Sequence, residues 1–113
     1  MPPGREDDAC AFYGGALGIP EIAKPPDLAA RGGCWFEDGL VKIHLGVDED
    51  FRPAKKAHVA LVVEDLDALL VAVRALGCET QRPKPMGEFL QAYVFDPFGN
   101  RLELLEHSSQ ADA

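Results

Sequence analysis

Residues 96–104 read Asp-Pro-Phe-Gly-Asn-Arg-Leu-Glu-Leu, a turn sequence that runs directly into a strand sequence. Proline, glycine and asparagine are favoured in turns, and from Arg101 onward polar and apolar side chains alternate as they do along a half-buried strand. The alternation places Glu103 on the face of Arg101, opposite the two leucines. The stretch therefore predicts a last strand, 101–106, that carries a carboxylate on its polar face.

The residues upstream of this turn predict a strand, a helix and two further strands. Segment 57–64 is rich in valine and leucine, and Asp65 is placed to cap a helix whose apolar residues recur at helical spacing. Gly77 ends that helix, a short extended piece follows at 78–82, and a strand follows at 89–95. The second half thus has the order strand, helix, short strand, strand, strand.

The first half predicts the same order without its opening strand. A helix over 6–17 precedes a short extended piece around 21–23, after which Lys24-Pro25-Pro26 predicts a chain break. Two strands follow at 33–37 and 40–47, joined by the hairpin signal Asp38-Gly39. The two halves therefore resemble one motif repeated.

A shift of 59 residues relates the halves, because the helix-end pairs Leu17-Gly18 and Leu76-Gly77 differ by that number (76 minus 17). The shift carries the strand 57–64 to positions that begin before the first residue. We therefore expect the first strand of the first half to be missing.

Three polar side chains are candidate metal ligands. The shift carries Glu103 onto His44, and both lie on the polar faces of their strands, which suggests a site between the halves. His58 begins the strand 57–64. Imidazole and carboxylate ligands suit Zn, Ni, Fe, Mn or Co, and open coordination positions would admit two oxygens of a substrate. The alternatives are a strand-end His58 bonded to a neighbour and a Glu103 paired with Arg101.

Composition argues against several classes of protein. The 113 residues suit one compact domain, and 11 Lys and Arg against 19 Asp and Glu give a net charge of -8. That charge would repel nucleic acids and anionic lipids. No apolar run reaches the ~18 residues of a membrane helix, and the start is unlike a signal peptide, so we expect a cytoplasmic protein.

The cysteines show no spacing typical of a site. Cys10, Cys34 and Cys78 lack a Cys-x-x-Cys pair, so neither a zinc knuckle nor a redox pair is indicated. Reduced and mostly buried thiols are the expectation.

Taken together, these stretches resemble the vicinal-oxygen-chelate superfamily of glyoxalases, bleomycin-resistance proteins and extradiol dioxygenases. Residues 96–104 are similar to the family's closing motif Asp-Pro-x-Gly-x-x-x-Glu. Residues 57–66 resemble the strand that opens the second module, and 11–18, Ala-Phe-Tyr-Gly-Gly-Ala-Leu-Gly, resemble the Phe-Tyr-x-x-x-Leu-Gly helix of the first.

The resemblance implies an α+β fold in which tandem βαβββ modules form a curved mixed sheet. It implies a single domain over 1–106, with module one at 1–50 lacking its first strand and module two at 57–106. The remaining residues, 107–113, are expected to form a flexible tail.

The resemblance also implies roles for the three candidates. Glu103 stands at the family's metal-binding and catalytic Glu, His58 at a metal-binding His, and His44 at a ligand position more often occupied by Glu. Family members usually carry a fourth ligand, His or Gln, on the first strand. The missing first strand has three possible explanations: the true start lies upstream, the chain was shortened, or the protein works with an incomplete set of ligands.

Two functions remain open from the resemblance. One is a metal-dependent lyase or isomerase acting on a small substrate that chelates a divalent metal through adjacent oxygens. The other is a metal-free protein of the bleomycin-resistance type that sequesters an antibiotic. Phe89 and Tyr93 share a face and are candidates to line the pocket. Either protein would be a homodimer, because a dimer often completes the cleft in this family and a missing strand leaves an open sheet edge.

Overall fold

The protein forms two compact units in a computed structural model, unit 1 at Met1–Pro53 and unit 2 at Ala54–Ala113. The structure describes residues 1–83 and 87–107. Each unit combines a helical segment with a small sheet, which confirms the predicted α+β class. Within the described ranges, no helix is long and apolar enough to span a membrane.

Unit 1 opens with the predicted helix, but most of that helix has π rather than α geometry. Helix α1 covers Glu6–Ala9 and continues as a π-helix over Cys10–Ala16. At its end, the amide of Leu17 donates to the carbonyl of Phe12 at 2.9 Å, a bond that spans five residues. The segment contains the Gly14-Gly15 pair, where the absence of side chains lowers the cost of departing from α geometry.

The sheet of unit 1 has three antiparallel strands in the order β1-β2-β3. They are β1 (Glu21–Ile22), β2 (Cys34–Asp38) and β3 (Val41–Leu45). A two-residue loop joins the last two, and Gly39 at φ +59° supplies the positive φ that a type II′ hairpin requires at its first loop residue. The predicted hairpin is therefore present.

A short helix, α2 (Pro26–Ala29), lies where the sequence predicted only a chain break. Pro26 occupies its first turn, where the missing N–H costs no hydrogen bond, so this proline begins a helix rather than preventing one.

Met1 pairs with the chain just beyond β3. Its amino group donates to the carbonyl of Gly46 at 2.7 Å, and its own carbonyl accepts from the amide of Asp48 at 2.9 Å. These two bonds have the slanted pattern of a parallel pair.

Unit 2 contains one helix and a four-stranded sheet. The strands are β4 (Val59–Val62), β5 (Thr80–Gln81), β6 (Phe89–Phe95) and β7 (Arg101–His107), and the helix α3 is Leu66–Ala75. Their order is β4-β7-β6-β5, with β4 parallel to β7 and the other neighbours antiparallel. His107, which was expected to begin the tail, belongs to β7, and 108–113 lie outside the described residues.

Helix α3 is capped as the sequence predicts and packs on one face of the sheet. Asp65 Oδ1 accepts the amide of Ala68 at 3.0 Å, Glu106 Oε1 accepts that of Leu66 at 2.7 Å, and Gly77 follows the helix at φ +78°. The buried apolar residues of the helix and of the facing strands are Leu66, Leu70, Val73, Ala92, Val94, Leu102 and Leu104. The opposite face of the sheet carries polar and aromatic side chains, among them Glu103 and Tyr93.

Candidate functional site

The turn before β7 fixes where its polar side chains begin. The Asp96 side chain is buried, and its Oδ1 accepts the amides of Phe98 at 3.0 Å and Asn100 at 2.8 Å. Asn100 Oδ1 in turn accepts the amide of Ala54 at 2.9 Å, and the Arg101 amide donates to the Ala54 carbonyl at 2.8 Å. Asp and Asn therefore hold the turn and set the register of β7.

Strand register then assembles one polar face, defined here as the face of the unit 2 sheet opposite α3. Glu103 pairs with Tyr93 on one side and with Ala60 on the other, and paired residues share a face. His58 precedes Ala60 by two positions, and Arg101 precedes Glu103 by two, so both follow the same alternation.

His58 and Glu103 meet on this face. His58 Nε2 lies 3.1 Å from Glu103 Oε1, and its Nδ1 lies 2.8 Å from the carbonyl oxygen of Lys56. The two side chains are 27% and 18% exposed, so they are reachable from solvent without being fully solvated. Parallel pairing of β4 with β7 brings together two residues that are 45 positions apart.

The protonation of this pair follows from its partners. A carbonyl oxygen only accepts, so Nδ1 of His58 carries a hydrogen and donates it to Lys56. In the neutral ring Nε2 then presents a lone pair toward an ionised carboxylate, which also only accepts. The close approach at 3.1 Å is therefore favourable only if a proton or a metal cation lies between the two atoms.

A divalent metal fits this arrangement. Two ligands each about 2.1 Å from a metal are about 3 Å apart at the right angles of octahedral coordination, close to the observed 3.1 Å. Metal-binding histidines usually donate their other ring N–H to a carbonyl or carboxylate, as His58 does to Lys56. His58 and Glu103 are thus the unit 2 residues that could hold such an ion.

Tyr93 and Arg101 border the pair. The Tyr93 ring lies edge-on to the His58 ring with centroids 5.6 Å apart, and the Arg101 guanidinium carbon lies 3.9 Å from the Tyr93 ring centroid. Arg101 Nη1 donates to the Lys55 carbonyl at 3.4 Å, while its Nε is buried without a hydrogen-bond partner among the described residues. The sequence did not single out Arg101 as functional, although its spacing from Glu103 was the available signal.

Phe89, the other predicted pocket residue, lies toward the far end of β6. Its ring centroid is 4.6 Å from that of His107, with which it also pairs in register. Phe89, Tyr93 and Phe95 are all half-buried and alternate on one face of the strand.

His44 is engaged within unit 1. Its Nε2 lies 2.8 Å from Glu37 Oε2, and its ring stacks on Trp35 with centroids 3.7 Å apart. The hydrogen bond with His44, followed by the charge of Lys42, holds the pKa of Glu37 below its usual value. The hairpin register pairs Trp35 with His44 and Glu37 with Lys42, so the Asp38-Gly39 turn signal already implied this cluster.

Comparison with known proteins agrees with the geometry. Residues 4–104 match the family model of the Glyoxalase/Bleomycin resistance protein/Dioxygenase superfamily. A lactoylglutathione lyase of Haemophilus influenzae is 32% identical over an alignment of 121 positions, which covers 94% of this chain and 87% of that protein.

Two solved structures share the fold. A glyoxalase family protein from Bacillus anthracis is 42% identical with a TM-score of 0.86, covering 96% of this chain and 88% of that one. TnmS3, an antibiotic binding protein from Streptomyces sp. CB03234, is 23% identical with a TM-score of 0.68, covering 96% and 91%, and shows likeness of fold alone. Motif, fold and family model lead to one conclusion: the chain belongs to the glyoxalase, bleomycin resistance protein and dioxygenase superfamily.

Proposed function

We propose that the protein is a divalent-metal-dependent lyase or isomerase of the glyoxalase type, acting on a small substrate with two adjacent oxygens. The observation that carries the proposal is the His58–Glu103 pair, whose facing atoms need a proton or a metal cation between them. His58 and Glu103 would hold Zn, Ni, Fe, Mn or Co, and His44 is proposed as a further ligand. The similarity to a lactoylglutathione lyase supports this class of reaction.

The residues around the pair suit such chemistry. A bound divalent ion would act as a Lewis acid toward the substrate oxygens. Glu103 has a second carboxylate oxygen with which to move a proton between neighbouring carbons of the substrate. The hydrogen bond to Lys56 holds the His58 ring in place, and Phe89 and Tyr93 would line the pocket. Arg101, stacked on Tyr93, would balance negative charge on the substrate.

Metal content and activity test this proposal together. We expect the chain, purified without chelator, to isomerise the thiohemiacetal of 2-oxopropanal and glutathione to lactoylglutathione. Activity should disappear on treatment with a chelator and return with one of the five divalent ions, because the cation compensates the charge that develops on oxygen. Thioester absorbance is the readout for activity, and elemental analysis gives the ion content.

The contradicting outcome is activity that survives complete removal of metal. Absence of both metal and activity in a folded chain would instead favour the second candidate, a metal-free protein that binds an antibiotic. The half-buried aromatic residues of β6 favour that candidate, because aromatic rings can stack on a flat ligand: Phe89, Tyr93 and Phe95. Titration with planar antibiotics, followed by aromatic fluorescence, would then measure its affinity.

We also propose that the protein is a homodimer. Strand β4 forms an edge of its sheet, and Val59 and Val62 on it are 56% and 62% exposed. An exposed apolar edge strand is a site for pairing with another chain. Light scattering at micromolar concentration should give twice the chain mass, and replacing Val62 with lysine should shift the population toward monomer. A well-folded monomer of the unmodified chain would refute the dimer.

A further inference from the structure

Three side chains with metal-binding atoms converge in unit 1, and none of them is among the residues proposed for the active site. Cys10 comes from the π-helix, Glu21 from β1 and Cys34 from β2. Their thiol sulfurs and carboxylate oxygen all lie within 4.8 Å of one another. All three cysteines of the chain are thiols, so no disulfide accounts for the proximity of Cys10 and Cys34.

Sheet register and helix packing produce this convergence. Glu21 pairs with Phe36, and Cys34 lies two positions before Phe36 on the same strand. Glu21, Cys34 and Phe36 therefore share the face of the sheet that meets the helix. Phe36 is fully buried and its ring centroid lies 5.5 Å from that of Tyr13. Cys10 lies in the π-helix three residues before Tyr13, and its sulfur lies within 4.8 Å of the Cys34 sulfur.

The donor set has a chemical preference. Two sulfurs and one carboxylate oxygen are ligands that thiophilic divalent ions such as Zn²⁺ accept, whereas hard ions such as Mg²⁺ prefer oxygen alone. Tetrahedral ligands at Zn–S and Zn–O distances of about 2.3 and 2.1 Å are about 3.5 to 3.8 Å apart. The observed separations, up to 4.8 Å, would close by small side-chain rotations.

The three side chains of the cluster differ in solvent exposure. Cys34 is buried, Cys10 is half-buried and Glu21 is exposed, so an ion has a path from solvent and an anchor below the surface. Cys34 Sγ now donates to the carbonyl oxygen of Glu6 at 3.7 Å, a weak bond that a metal would replace.

The geometry points to a second cation site, in unit 1, where Cys10, Cys34 and Glu21 bind a Zn²⁺-like thiophilic ion and leave a fourth position open. On binding, each thiol releases its proton to solvent, so the site gains two thiolates and one carboxylate around a divalent charge. Three protein ligands with an open fourth position are the pattern of sites that bind water or a further ligand.

A nucleophilic cysteine explains the cluster less well. Burial, and then the neighbouring Cys10, raise the pKa of Cys34 to about 12, and burial together with Glu21 raises that of Cys10. Reactive cysteines have lowered pKa values in electropositive surroundings, and here the neighbours are carboxylates.

Titration with Co²⁺ under reducing conditions tests the site, because a thiolate bound to Co²⁺ gives a near-ultraviolet charge-transfer band that His and Glu ligands do not. We expect one such band at one equivalent, removed by added Zn²⁺. Cys10→Ser and Cys34→Ser should each weaken binding by more than about 100-fold, since even outer-sphere partners are worth about 10–100-fold. Cys78→Ser is the matched control and should retain the band.

The band separates this site from the His58–Glu103 pair, so either proposal can fail alone. Cys10→Ser should disturb folding less than Cys34→Ser, because Cys10 is half-buried and Cys34 is buried. Circular dichroism checks that both variants are folded. Absence of the band in the folded native chain, its survival in Cys10→Ser, or its loss in Cys78→Ser would overturn the proposal. A Cys10–Cys34 disulfide that persists in reductant and excludes Co²⁺ would overturn it as well.

Discussion

His58→Ala should lower the affinity of the chain for a divalent metal by more than about 100-fold, and Glu103→Gln should do the same, while unit 2 should keep its fold. His58→Ala removes one of the two atoms that face each other at 3.1 Å, Glu103→Gln removes the negative charge on the other, and neither change touches the turn or the strand pairing. Glu103→Gln keeps the shape of the side chain and removes its charge. Isothermal titration with Zn²⁺ or Ni²⁺ measures the loss.

His107→Ala is the matched control. It is a histidine of the same sheet that contacts Phe89, and it should bind metal as the native chain does. The titrations belong in a Cys10→Ser background, so that the proposed thiol site contributes no heat. Native-like binding in both His58→Ala and Glu103→Gln would remove the site assignment, and with it the main support for a metal enzyme.

The effect of His44→Ala is informative in its own way. His44 already has a carboxylate partner, Glu37, and a stacking partner, Trp35. If it is also a metal ligand, its loss should weaken metal binding as strongly as the loss of His58. Unchanged binding would assign it to the Glu37 cluster alone.

The elements that depend on neighbouring residues were predictable from sequence. The cap at Asp65, the left-handed glycine after α3 and the Asp38-Gly39 hairpin are all local signals, and each is present in the structure. The turn at 96–100 is also local, because Asp96 bonds to residues two and four positions ahead. Strand boundaries shifted by only a few residues for the same reason.

The features that were not predicted have two causes: a residue can favour two different local structures, or residues far apart along the chain are brought together only by folding. Pro26 was interpreted as a chain break, yet proline is also favoured in the first turn of a helix, which is where it lies in α2. The π geometry of Cys10–Ala16 was not predicted, because a segment of this length is too short for its residue spacing to distinguish a π-helix from an α-helix. Cys10 and Cys34 are brought together only by helix packing and strand register, which cysteine spacing does not encode. His58 and Glu103 were singled out through motifs, and their metal role stays a prediction.

Gly33→Ala should destabilise unit 1 by about 3 kcal/mol or more, enough to prevent folding of a marginal unit. Gly33 has φ +85°, and a Cβ there would lie 2.1 Å from the carbonyl oxygen of Leu45. That oxygen belongs to the backbone of β3, which is held against β2 by the pairing of Leu45 with Cys34. The Gly33 amide also donates to Glu6 Oε2 at 2.9 Å, so a shift of this backbone breaks a second contact.

Gly39→Ala separates strain from collision. Gly39 also has a positive φ, +59°, but a Cβ added there would meet no atom within 4 Å, so only the left-handed cost of about 1 to 2 kcal/mol applies. Urea unfolding followed by circular dichroism should therefore rank the losses as Gly33→Ala well above Gly39→Ala. Equal losses would mean that the β2–β3 backbone yields to the added methyl group. Because Gly33 immediately precedes Cys34, that result would also make the position of the proposed thiol site adjustable rather than fixed.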